Sequence, residues 1–89
     1  MRSLITISLF QAAFLLPALG HAGQDLSLEQ LPPPVRATVE RETKGGKITE
    51  IEKDHELGQV IYEVEFTSDG KQWELDIAED GKVLERRLD

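Results

Sequence analysis

The chain has no cysteine, so neither a disulfide nor a thiolate metal site can brace it. Past residue 22 its only aromatics are Tyr62, Phe66 and Trp73, its only serines Ser27 and Ser68, and its only histidine His55. A nucleophile needs an oriented base beside it. The lone imidazole instead falls in the charged stretch Lys53-Asp54-His55-Glu56, which reads as an exposed loop. Structural zinc wants about four ligands rich in Cys or His, and these are missing. Positive charge is scarce too. Residues 23–89 hold 9 Lys and Arg against 17 Asp and Glu, a formal charge of −8. A general nucleic-acid binder needs the opposite sign. These shortages point away from an enzyme and give no catalytic set, no metal site and no cofactor.

What is present divides unevenly. Residues 1–22 contain 14 apolar residues and a single charge, Arg2, whereas residues 23–89 have 21 apolar residues among 67. Leu4 to Leu16 is an apolar run behind Arg2, Pro17 breaks it, and Ala18-Leu19-Gly20-His21-Ala22 supplies small residues. That three-part form predicts a secretory signal peptide over residues 1–22, cut after Ala22 or Gly20. The run is shorter than the roughly 20 residues of a membrane-spanning helix, so no membrane insertion is expected after cleavage. The expected compartment is periplasmic or extracellular.

Residues 23–30 form a polar lead-in, within which Ser27-Leu28-Glu29-Gln30 has the capping-box form that starts a helical turn. The main helix is expected from about Pro32 to Lys44, since proline is tolerated in a first turn. Leu31, Val35, Thr38 and Val39 share one stripe, and Arg36, Glu40 and Lys44 are spaced as i,i+4 charge pairs. Gly45-Gly46 ends the helix. The period then changes to two. Lys47 to Asp54 predicts a first strand, with a slip in alternation because Ile48 and Ile51 are three apart. Val60, Tyr62, Val64 and Phe66 alternate with Ile61, Glu63, Glu65 and Thr67 as a second strand. Ser68-Asp69-Gly70-Lys71 carries the Asp-Gly hairpin signal. Trp73, Leu75 and Ile77 define a third strand, and Asp80-Gly81 turns into a short last one from Val83 to Leu88. The fold class is α+β, with one N-terminal helix packed on a three- to four-stranded antiparallel meander over residues 31–89.

The register of these strands directs attention to their polar sides. Glu50, Glu52, Glu63, Glu65, Glu74 and Asp76 can fall side by side on one face of the sheet. Like charges directly opposite repel, so such a face either only discourages edge aggregation or docks a basic partner. With the hairpin tip Ser68, Asp69, Gly70 and Lys71 it forms the candidate partner-binding set. The alternative is a metal or small ligand held on the acidic face. The spacing Glu65-x-Thr67-x-Asp69-Gly70 with Asp76 partly follows a calcium loop, but it crosses a hairpin rather than joining two helices.

The order of these pieces resembles a known family. Leu31-Pro32 with Val35, the Gly45-Gly46 break, Lys47-Ile48-x-Glu50-Ile51-Glu52, Tyr62-Glu63-Val64-Glu65, Asp69-Gly70-Lys71, Glu74-Leu75 and Asp80-Gly81-Lys82-Val83-Leu84 are similar to a PepSY-like domain. The likeness covers nearly all of residues 26–88. It implies a small secreted module with a helix on an antiparallel sheet, akin to beta-lactamase-inhibitor-like proteins and to protease propeptides. It also implies a non-catalytic binding role, a protein partner such as a peptidase, and structural places for Tyr62, Trp73 and the two Asp-Gly turns. The triple proline departs from the family's usual single Leu-Pro.

Overall fold

The computed structural model describes residues 23–89; the signal peptide expected over residues 1–22 lies outside them. The elements in chain order are β1 (Gln24–Asp25), a 3-10 turn (Leu28–Gln30), α1 (Pro33–Thr43), β2 (Lys47–Glu56), β3 (Gln59–Ser68), β4 (Lys71–Ala78) and β5 (Val83–Leu88). The strands form one antiparallel sheet in the order β1-β2-β3-β4-β5. The sheet therefore has five strands, not three or four, and the helix is not the first element described. The extra strand lies in the polar lead-in. Two residues show no period, and only their pairing, Gln24 with Lys53 and Asp25 with Glu52, reveals them.

The capping box forms as its residues suggest, with the Ser27 N–H donating to Gln30 Oε1 at 2.8 Å. The three prolines enter α1 at no cost in hydrogen bonds. The first N–H groups of a helix have no partner inside it, and the first helical bond runs from the Arg36 N–H to the Pro32 carbonyl at 2.9 Å. Arg36 does not pair with Glu40; its guanidinium turns back to the Leu28 carbonyl at 3.4 Å. At the far end Lys44 at φ 47° and Gly45 at φ 81° both take positive φ and end the helix. Gly46 is required for closeness, since a Cβ there would lie 2.5 Å from the Thr67 carbonyl oxygen.

The expected stripe is the buried face of the helix. Val35 and Val39 have no exposure, and Leu31 and Thr38 are nearly as deep. They pack on Ile51 of β2, Tyr62, Val64 and Phe66 of β3, and Leu75 and Ile77 of β4. The helix is tied to the β4–β5 turn by Thr38, whose Oγ1 donates to the Gly81 carbonyl at 2.6 Å, and Pro34 backs onto the same turn. The slip in β2 is a bulge between Ile48 and Glu50, as the spacing of the isoleucines predicts. It returns Ile51 to the core and keeps Glu50 and Glu52 on the opposite face.

The stretch Lys53-Asp54-His55-Glu56 is strand, not loop. It continues β2 and pairs as far as Glu56 with Gln59. The turn that follows is Leu57-Gly58, with φ of 52° and 79°. A two-residue hairpin with both φ positive is the type favoured by right-handed strand twist. Its usual Asn-Gly or Asp-Gly signature is replaced here by Leu-Gly, so the turn was hidden in the sequence.

Candidate functional site

Strand pairing decides which carboxylates meet. Residues directly opposite in an antiparallel ladder point to the same face. One row runs across all five strands as Asp25, Glu52, Glu63, Asp76 and Glu85. The next row is Glu50, Glu65, Glu74 and Arg87. Successive members lie one strand spacing apart, about 4.8 Å. The helix packs from the other side, against β3 and β4, so among the described residues no element lies over these rows. All six carboxylates singled out in the sequence fall within them. The rows also contain Asp25, Glu85 and Arg87, which the sequence did not single out. Asp25 needed the hidden strand β1, and the other two needed the register of β5.

Crowding takes the carboxylates partly out of water. Glu52 retains only 6% exposure, and the Glu74 side chain 14%. Burial pushes the Glu63 carboxyl up to about 7, and the charges of Asp76, Asp54, Glu74 and Glu52 add to the rise. Asp76 is pushed up to about 6, again by burial first and then by Glu74, while Arg87 works against the shift. Glu65 moves upward for the same reasons, with Glu50 the leading charge. Asp76 Oδ1 is buried and accepts no hydrogen bond. Arg87 is the one cation in the two rows, and it bridges Glu74 at 2.9 Å and Glu85 at 3.1 Å.

Four sets of carboxylates bring ligand oxygens within 4.8 Å of one another: Asp25, Glu50 and Glu52; Glu52, Asp54 and Glu63; Glu63, Glu74 and Asp76; Glu65, Glu74 and Asp89. All draw on the same face. The calcium-like spacing does not make a loop of its own, because Glu65 and Thr67 lie in β3, Asp69 in the turn and Asp76 in β4.

The hairpin tip stands apart from this face. Ser68 pairs with Lys71, and Asp69 and Gly70 occupy the turn with φ of 54° and 74°. Five residues of β3 separate Ser68 from Glu63, about 17 Å of strand. The tip is exposed and well formed, yet it cannot share one small contact with the centre of the acidic rows. His55 is paired with Val60, near the other end of the same hairpin from Ser68. His55's partner Val60 is eight strand positions from Ser68, about 26 Å, so this imidazole and that hydroxyl do not meet.

A helix laid across one face of an antiparallel meander, with carboxylates on the opposite face, defines a small α+β module. The model of the PepSY family, described as peptidase propeptide and YPEB domain, matches residues 35–87. The match spans more than half of the chain, and the chain belongs to that family. No curated protein and no solved structure matches it. Among the described residues no helix is long and apolar enough to cross a membrane.

Proposed function

We propose that the chain is an exported, non-catalytic binding module whose acidic sheet face docks a basic segment of a protein partner. The observation that carries this reading is the pair of carboxylate rows, in which one arginine faces eight acidic side chains. Holding like charges together costs stability, and a cationic partner would return that cost as binding energy and a faster encounter. The family description, peptidase propeptide, favours a peptidase as the partner's class. Export rests on the composition of residues 1–22. The hairpin tip Ser68-Asp69-Gly70-Lys71 is a second, separate contact at most.

The test compares in-cell crosslinking of the exported protein with that of a variant carrying Glu63→Gln, Glu65→Gln, Glu74→Gln and Asp76→Asn. A partner captured by the first and lost by the second, in a variant that melts cooperatively, supports the reading. Equal capture by both would move the contact off this face.

A second reading has its own observation. Asp76 Oδ1 lacks a hydrogen bond while sharing a 4.8 Å cluster with Glu63 and Glu74, as an oxygen awaiting a hard cation would. Binding to the native state raises its stability. Calcium or magnesium at millimolar concentration would then raise Tm well beyond the effect of sodium at equal ionic strength. An unchanged Tm removes this reading and leaves the first intact.

A further inference from the structure

Strand β5 closes the sheet, and no other strand lies beyond it among the described residues. The Asp89 N–H donates to the Gln72 carbonyl at 2.9 Å. In an antiparallel ladder, successive residues turn their backbone groups alternately to one neighbour and the other. From Asp89, therefore, Arg87 and Glu85 turn theirs toward β4, while Arg86 and Leu88 turn theirs outward. Such an edge is a template for another strand.

The side chains select which strand. Among the described residues three large apolar side chains are exposed, Leu57, Leu84 and Leu88, and two of them lie on β5. Between them stands Glu85-Arg86-Arg87. When a second copy of this strand runs antiparallel with Arg86 opposite Arg86, each Glu85 faces an Arg87 within the regular stretch Glu85–Leu88, while Leu84, the extra residue of a bulge opposite Asp76 and Ile77, falls at its margin near the partner's Leu88. Backbone parity permits only registers centred on a residue. Centring on Glu85 or on Arg87 sets like charges against each other on the acidic face. The central Arg86 pair is tolerable because each guanidinium is committed to its own protomer. It bridges Glu42 Oε1 at 3.0 Å and lies 4.6 Å from the Trp73 ring centroid. Edge charges normally discourage pairing, but here they are ordered so that the strand complements itself.

We infer that two copies of this chain associate through β5, antiparallel about Arg86, into one continuous ten-stranded sheet. Opposed residues share a face, so both helices lie on one side and both carboxylate faces merge on the other. The edge is six residues long. It buries less than the ~1,200 Å² of a standard stable interface, so the dimer is a weak one.

Sedimentation velocity over roughly 5–500 µM, at about 0.15 M salt so that long-range repulsion is screened, should show mass rising toward two chains. Glu85→Arg alone sets arginines against each other across the seam, and Arg87→Glu alone sets glutamates. Each single variant is expected to weaken self-association roughly tenfold, since opposed charge pairs are worth up to about 1 kcal/mol each. Mixed together, the two variants become complementary again and should form a heterodimer. That rescue separates a broken seam from a broken fold. A monomer throughout the range, or variants that self-associate like the parent, overturns the inference. So does a mixture that fails to associate where the parent does.

Discussion

At the scale of single residues, Glu63 and Asp76 are the most informative. They sit directly opposite each other, with carboxyls raised to about 7 and about 6. In the unfolded chain both would titrate near their ordinary values, so between roughly pH 4 and pH 7 the folded state binds more protons than the unfolded one. By linkage, stability is highest at the acidic end of that window and falls as pH rises through the folded values. A thermal melt series should therefore show a higher Tm at pH 5 than at pH 8. Glu63→Gln combined with Asp76→Asn should flatten that slope and raise Tm at pH 8, by about 4–8 °C for each kcal/mol of repulsion relieved. A slope unchanged by the double variant would place the proton uptake elsewhere. Leu57 is a second test case. It is fully exposed and held at φ 52°, a conformation that costs an ordinary L-residue about 1–2 kcal/mol. Leu57→Asn should stabilise the domain by about 1 kcal/mol in a urea titration, since asparagine accepts that region. The same residue explains why the strand position of His55 does not show in the sequence. Turn chemistry is recognised by residue type, and leucine gives no sign of a left-handed backbone.

At the scale of elements, the helix and the three long strands were legible because each buries a periodic set. Val35, Thr38 and Val39 repeat with the helix, while Tyr62, Val64, Phe66, Leu75 and Ile77 repeat with the strands. The isoleucine spacing even located the bulge in β2. What stayed hidden was β1, two exposed residues without a period, and with it the fifth member of the first carboxylate row. The six acidic candidates were legible as a face because alternation fixes sidedness; their depth and their neighbours across strands were not, because register is a property of pairs. The joint between α1 and the β4–β5 turn makes a prediction of its own. Thr38 supplies the hydroxyl that meets the Gly81 carbonyl at 2.6 Å. Thr38→Val keeps the shape but leaves that carbonyl without this donor, which should cost about 1–3 kcal/mol. A Cβ at Gly81 would come within 2.7 Å of the Pro34 carbonyl oxygen, at a backbone φ of 92°. Gly81→Ala should therefore cost more than about 1 kcal/mol, and both effects can be read as shifts in urea midpoint at constant slope.

At the scale of the whole molecule, the fold has little reserve. A core without disulfides in a domain this small supplies only about 3–5 kcal/mol. Among the described residues Phe66 is the largest fully buried side chain, and its removal typically costs about 3–5 kcal/mol. Phe66→Ala should thus leave the chain unfolded at 25 °C, seen as loss of the cooperative melt. The order of the strands in space has a different consequence, one of time. Spatial order repeats chain order, and two-residue turns close both of the hairpins that build the centre of the sheet. From β2 onward each strand therefore pairs with the next strand in the chain, and short connections of that kind favour fast folding. After dilution from denaturant, the main phase of Trp73 emission should recover within milliseconds. A chain that must assemble without covalent help would then leave its apolar core residues in water only briefly before they are packed.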